Sequence, residues 1–334
     1  MTTHAPAVRI LSRRMVSELL DLPGCIEVVE RAFRMLGDET AAPPVAVGLH
    51  VGSGGFHFKA GVFAGERGRY FVGKTNGNFP DNPQAHGLPT IQGAILVSDA
   101  DRGSPLAVMD SIEITAQRTA AATAVAARYL ARADAAVVGI VGCGVQGDRH
   151  LRALALMRPL ARAVVFDRDA GQAIRFAERM SAALGMPVTA VESIARVAES
   201  ADVCVTCTPS KEFLLAAGAV RPGCFVAGVG VDATHKRELA PSLLAGGKVV
   251  VDWLPQCVAF GDLHHAIEAG VMTAGQVHAE LGQIVAGLAP GRESEVEVTV
   301  FDSTGMALQD AAAAALVYER AVERRLGLEV SLSD

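Results

Sequence analysis

A glycine-rich turn, Gly142-Cys143-Gly144-Val145-Gln146-Gly147, follows the apolar run 135–141, and Asp167 stands twenty residues beyond its last glycine. Between them lie a helix-patterned stretch at 150–157 and a second apolar run, 163–166. This order constrains the fold because each glycine has its own task. Gly142 permits a tight turn, Gly144 lets backbone amides approach a pyrophosphate, and Gly147 lets the next helix pack against its strand. The phosphates then sit at a helix N-terminus, whose unpaired N–H groups favour anions. The segment therefore reads as the nucleotide-binding start of an α/β, doubly wound domain. An acidic residue at position 167 suits ribose hydroxyls and repels a 2′-phosphate, which favours NAD. Arg168 beside it can accommodate that phosphate, which leaves NADP open.

The alternation continues downstream, with strands expected near 136–141, 163–167, 187–191, 202–207, 224–231 and 248–251. Strands separated by helices imply a parallel sheet with right-handed crossovers. Upstream the pattern differs. Ile26, Val29, Phe33 and Leu36 recur at helical spacing and predict a helix over 25–37. Short extended runs follow at 45–51, 55–63, 70–74 and 91–98, punctuated by glycine, proline and asparagine. An alanine-rich helix is expected at 111–131, a strand-like run at 296–301 and a closing helix at 303–325. The nucleotide domain starts so far along the chain that the first part needs another task, for which substrate binding and subunit contact are the natural candidates.

Composition narrows the partners. A formal charge of −6 over 334 residues, without a lysine or arginine cluster, excludes a nucleic-acid surface. No apolar run reaches the ~18 residues of a membrane span, and the opening segment lacks the apolar core of a signal peptide. Six scattered cysteines fit a reducing compartment, so the expected place is the cytoplasm. Cys204 and Cys207 have metal-ligand spacing, yet a strand sends their sulfurs to opposite faces; His264-His265 reads as polar helix surface. No metal is expected.

Four segments together resemble the ornithine cyclodeaminase and mu-crystallin family: GKTNGNFPDNPQAHGLPT (73–90), MDSIEITAQRTAAATAVAARYLA (109–131) with IVGCGVQG (140–147), GVGVDATHKREL (228–239) and FDSTGMALQDAAAAA (301–315). The resemblance spans nearly the whole chain. It implies a Rossmann domain at 126–304 and an α+β substrate-binding and dimerisation domain built from 1–125 and 305–334. Family members include cyclodeaminases, alanine dehydrogenases and imine reductases.

Lys74 and Arg118 are cations among apolar or small residues, and two fixed cations are what a carboxylate needs. The resemblance gives them that substrate role, with Lys74 and Asp232 in catalysis. Asp232 would act as acid/base at the reacting nitrogen and carbon. The resemblance further implies cofactor contacts at Thr90, Gly142, Gly144, Val145, Gln146, Gly147, Asp167, Arg168, Thr208, Val229, Gly230, Val231, Lys236 and Ser303, with Thr304 facing the substrate. Two departures bear on the reaction. Ornithine-cyclising members carry an arginine near position 46 and a glutamate where this chain has His57; here Ala46 is neutral and His57 is a poor partner for an ammonium. Lys59, two residues along a strand from His57, shares its face and can replace the missing cation. The expected function is an NAD(P)-dependent oxidoreductase, a homodimer, acting on a small imino or amino acid. The alternatives are an ammonia-releasing cyclodeaminase and a non-catalytic, ligand-binding protein of mu-crystallin type.

Overall fold

The computed structural model describes residues 7–332; residues 1–6 of the opening segment lie outside them. The chain divides into two compact units, one running to Arg118 and resuming at Met306, the other Thr119–Gly305.

The first unit holds β1 (Val8–Leu11), α1 (Arg13–Leu19), α2 (Leu22–Gly37), β2 (Val45–Val51), β3 (Gly54–Ala64), β4 (Arg69–Asn78), α3 (Asn82–Ala85), β5 (Ile91–Asp99) and β6 (Pro105–Asp110). The division falls within α4 (Ile112–Leu130). The second unit then runs β7 (Val137–Val141), α5 (Val145–Met157), β8 (Arg162–Phe166), α6 (Ala170–Leu184), β9 (Val188–Ala190), α7 (Ile194–Ser200), β10 (Val203–Thr206), β11 (Phe225–Gly228), α8 (Pro241–Ala245), β12 (Lys248–Val251), α9 (Leu254–Phe260), α10 (Asp262–Glu268), β13 (Ala279–Glu280), α11 (Leu281–Val285) and β14 (Thr299–Asp302). The chain returns to the first unit with α12 (Ala307–Glu323) and β15 (Leu328–Val330).

In the first unit seven strands form a mixed sheet in the order β15-β1-β6-β5-β4-β3-β2. Strand alternation divides its side chains between two faces. One face carries Phe63, Val72, Ile95, Val97 and Met109, all buried, and packs against α12, which also contacts α2. The other carries Val45, Val47, Leu49, Val51, Phe56, Phe58, Phe71 and Leu96, all exposed, with Leu49 at 65%.

In the second unit eight strands, all parallel, follow the order β13-β12-β14-β11-β10-β7-β8-β9. The chain winds outward from β7 through β8 to β9, then returns to the far side of β7 as β10. This reversal is the switch point at which open α/β sheets leave a crevice beyond the strand ends. The strands are buried on both faces, with Val164, Val226, Val249 and Val300 in one apolar cluster with Leu239 and Leu263.

Two expected elements shift. The closing helix begins at Ala307, not at 303, because Gly305 turns at φ +77° and donates its N–H to Asp252 Oδ2 at 2.6 Å. His264-His265 is not a polar surface pair: His265 is buried, and its Nε2 donates to the Lys236 carbonyl at 2.8 Å.

Candidate functional site

In the first unit, antiparallel register sets Lys59 directly across from Lys74, and His57 across from Asn76. Directly paired residues share a face, so His57, Lys59 and Lys74 all stand on the side that α12 covers. Lys74 is 3% exposed and Arg118 5%, so neither is a solvent-facing charge. Both end on one carboxylate. Lys74 Nζ lies 2.6 Å and Arg118 Nε 2.9 Å from Asp310 Oδ1, in the first turn of α12. Gln309 Oε1 accepts from Arg118 at 2.9 Å, and Lys74 also donates to Thr115 Oγ1 at 3.4 Å.

Burial pushes the Lys74 pKa down to about 7; Asp310 works against this, while Arg118 and Lys59 add to it. Burial works to raise the Asp310 pKa, but Arg118 and Lys74 outweigh it and hold the carboxyl below its ordinary range. Two cations on one anion leave net positive charge in a dry place, which is what a carboxylate ligand completes. Ala46, at the position of the missing arginine, pairs directly with Lys59. Lys59 therefore brings a positive charge to the same part of the sheet. Thr90 also belongs to this unit, half-buried, with its carbonyl accepting from Phe79 N–H at 2.8 Å.

In the second unit the turn after β7 has the form its glycines imply. Gly142 takes φ +107°, a conformation side chains disfavour, and a Cβ there would meet the Cys207 carbonyl at 2.8 Å. A Cβ on Gly147 would strike the Gly142 carbonyl, so only glycine lets α5 start this close to β7. Gly144 caps α5 without a side-chain hydrogen bond, and the space beyond its Cα is open. Val145 is exposed and Gln146 half-buried. An uncapped helix N-terminus with open space in front is a fit cradle for a pyrophosphate. Asp167, just past β8, accepts the Cys143 N–H through Oδ2 at 2.8 Å, so its carboxylate is fixed beside the turn, while Arg168 is exposed.

Strand β11 was expected to reach residue 231 but ends at Gly228. Val229 N still donates to the Thr206 carbonyl at 2.9 Å, but the next donor, Gly230 N, goes to the carboxylate of the fully buried Glu238. Its Oε2 accepts from Gly230 N at 2.7 Å, Val229 N at 3.3 Å and Thr206 Oγ1 at 2.9 Å. Its Oε1 accepts from Thr208 N at 2.6 Å and Thr208 Oγ1 at 2.8 Å. One side chain thus ties the ends of β10 and β11 together, fixing Thr208, Val229 and Gly230. Val231 is buried, and the half-exposed Asp232 ends 2.6 Å from Lys236 Nζ.

Ser303 and Thr304 are buried at the end of β14. Thr304 Oγ1 donates to Asp252 Oδ1 at 3.0 Å and accepts from Gln256 at 2.9 Å. That hydroxyl is part of an internal network at the end of β14. Ser303 Oγ lies 3.5 Å from Asp252 Oδ2.

Asp310 and Glu238 were not singled out in the sequence. For Asp310 a signal existed, since it is the one charge inside the run ALQDAAAAA, whose five following residues are all alanine. Glu238 follows Lys236-Arg237 and looks like one more surface charge.

A family model described as the ornithine cyclodeaminase/mu-crystallin family matches residues 7–325. Among solved structures, a Δ1-pyrroline-2-carboxylate reductase of Thermococcus litoralis in complex with NADH and L-proline is 35% identical, with a TM-score of 0.92 over 97% of this chain and 100% of that one. An archaeal alanine dehydrogenase dimer with bound NAD is 34% identical, with a TM-score of 0.93 over 97% and 99% of the two chains. The iminosuccinate reductase of Paracoccus denitrificans in complex with NAD+ is 33% identical, with a TM-score of 0.89 over 98% and 100%.

Proposed function

The chain belongs to the ornithine cyclodeaminase/mu-crystallin family, and from that premise we propose that it is an NAD(P)-dependent oxidoreductase of a small imino or amino acid, working chiefly as an imine reductase. The observation that carries this reading is the pair of buried cations, Lys74 and Arg118, on the single carboxylate of Asp310. Burying two cations against one anion is costly unless a further negative group arrives. A substrate α-carboxylate is such a group, and a planar guanidinium beside an ammonium holds it in one orientation.

The second unit supplies the other requirements. The N–H groups of Val145, Gln146 and Gly147 at the start of α5 would hold the pyrophosphate, and Asp167 the adenosine ribose. Thr208, Val229, Gly230 and Val231 would form the remaining wall of that site, with Thr90, Ser303 and Lys236 as further contacts. A nicotinamide dinucleotide, when bound, supplies the hydride. Asp232, with Lys236 at 2.6 Å, is an acid/base pair able to give a proton to the nitrogen as the carbon is reduced. Lys74, with its pKa near neutrality, changes charge readily and can share that task. His57, Lys59 and Thr304 would line the substrate side, with Asp252 holding the Thr304 hydroxyl in place.

The same proposal includes a homodimer in the cytoplasm. The exposed face of β2–β5 carries eight large apolar side chains side by side, the kind of contiguous patch that marks an interface. Its occupant is a second copy, since β2 is also the sheet's edge strand and a two-fold axis lets one face cover itself. Among the described residues no helix is long and apolar enough to cross a membrane.

The test is cofactor oxidation over a set of imines: a cyclic five-membered imine carboxylate, pyruvate with ammonia, and oxaloacetate with ammonia. One of these should consume NADH or NADPH stoichiometrically, while ornithine gives little proline. Efficient release of ammonia and proline from ornithine, with catalytic NAD and no net redox change, would replace this reading by the cyclodeaminase.

A further inference from the structure

We propose that Asp310 is the positioning residue of the carboxylate clamp: by bridging Lys74 and Arg118 through one oxygen, it keeps Lys74 charged and sets the spacing of the two cations. This rests on reading Lys74 and Arg118 as the substrate-carboxylate site. Asp310 itself is not required to touch substrate.

Geometry makes the case. Asp310 Oδ1 alone receives both Lys74 Nζ, at 2.6 Å, and Arg118 Nε, at 2.9 Å. A shared single acceptor fixes two long side chains that would otherwise each have several rotamers. Asp310 is 1% exposed, so water contributes little to holding them apart. Its place in the first turn of α12 adds the favourable field of a helix N-terminus, which keeps the carboxyl ionised. The backbone of Gly61 in β3 lies close enough to Ala307 and Leu308 that a Cβ there would be at 3.5 Å, so that turn of α12 is fixed against the sheet.

The surroundings contain few other groups able to do this. Beside Lys74 and Asp310 stand Arg118 from α4 and Lys59 from β3, both of which oppose the Lys74 charge, and Cys25 from α2, whose thiol burial keeps neutral. Asp310 is the group that favours the charged lysine. Without it Lys74 would be buried beside two cations and would lose its proton well below neutrality. A neutral amine then faces the substrate carboxylate in place of an ammonium.

The test uses the full chain labelled with [6-13C]lysine, following the Lys74 Cε resonance, assigned through Lys74→Arg, from acid to alkaline pH without substrate. Asp310→Asn should lower the Lys74 midpoint by about one pH unit or more. In turnover of a cyclic imine carboxylate, the pH at which kcat/KM begins to fall should move down by the same amount. KM should rise about tenfold or more, with a much smaller change in kcat. Asp310→Glu should restore the midpoint and most of KM, which a merely structural role would not give. An unmoved midpoint in folded Asp310→Asn overturns the proposal. If that variant does not fold, Arg118→Gln serves instead: with Asp310 left to Lys74 alone the midpoint must rise, and a constant value overturns the proposal equally. The titration needs no substrate, so the two readings fail separately. Imine turnover without a midpoint shift removes the role of Asp310, whereas a shift in a protein that reduces no imine supports that role and removes the proposed reaction.

Discussion

Replacing Glu238 by glutamine should damage the second unit more than its chemical conservatism suggests. The carboxylate accepts five hydrogen bonds, from Thr206 Oγ1, Thr208 N, Thr208 Oγ1, Val229 N and Gly230 N. Glutamine keeps the shape but turns one oxygen into a donor. Placed at Oε2, the amide nitrogen confronts two backbone N–H groups that cannot turn away. Placed at Oε1, it confronts one, Thr208 N, while the Thr208 hydroxyl can rotate to accept. The second placement is cheaper, and it leaves one buried backbone donor unpaired, at about 1–3 kcal/mol. Removing a desolvated charge gives some of this back, since burial raises the Glu238 pKa. The net expectation is about 1–2 kcal/mol in urea denaturation, a sizeable part of an ordinary domain's stability.

The functional consequence follows from which donors are lost. Thr208 lies two residues beyond β10, beside the glycine turn, so its release should weaken NADH binding, read by the fluorescence change on titration, by several-fold. Glu238→Ala, which takes the acceptor from both Thr208 N and Gly230 N while Val229 N keeps the Thr206 carbonyl, should be worse by both measures. Wild-type denaturation and an unchanged NADH titration in Glu238→Gln would refute the claim that this carboxylate fixes the strand ends.

Two further outcomes can be checked directly. Leu49→Glu places a charge in the middle of the exposed apolar face, twice in a symmetric dimer; sedimentation should show dissociation at micromolar concentration, and a dimer as tight as the wild type would remove that face from the interface. The second concerns Asp302, buried with Asp262, each with one oxygen lacking a partner among the described residues. Burial, with Asp252 and Glu238 adding to it, raises the Asp302 pKa to about 7. A folded pKa above the unfolded one means that its stabilising contribution is full below about 4 and lost as pH rises through about 7. Asp302→Asn cannot ionise, so it should flatten the pH dependence and gain on the order of 2 kcal/mol at pH 8 relative to pH 5; an equal change at both pH values would contradict the raised pKa of Asp302.

The parts of the fold legible in the sequence are those set by local pattern. The glycine turn, the parallel strands after it and the four extended runs before it each depend on residues close in the chain, and they appear where periodicity places them. The pairing of β1 with β15 and β6 was not legible, because the four residues of β1 and the three of β15 carry no period long enough to read. Element ends failed for a different reason. Strand β11 stops at Gly228 and α12 starts at Ala307 because carboxylates distant in sequence, Glu238 and Asp252, take the backbone donors of Gly230 and Gly305 first. Side chains that end elements from a distance leave no local trace.

The same reason separates the site residues that were foreseen from those that were not. Lys74 and Arg118 could be singled out as cations in apolar surroundings, a mismatch visible one residue at a time. What makes them a clamp is Asp310, which lies 192 residues beyond Arg118, and its charge looks ordinary until the three are brought together. An isolated buried cation would shed its proton; an isolated buried carboxylate would take one up. Brought together, Asp310 favours the charged form of Lys74 and the two cations favour that of Asp310, which leaves positive charge over. That residual charge is the recognising element for a carboxylate, so the function belongs to an arrangement that tertiary packing creates.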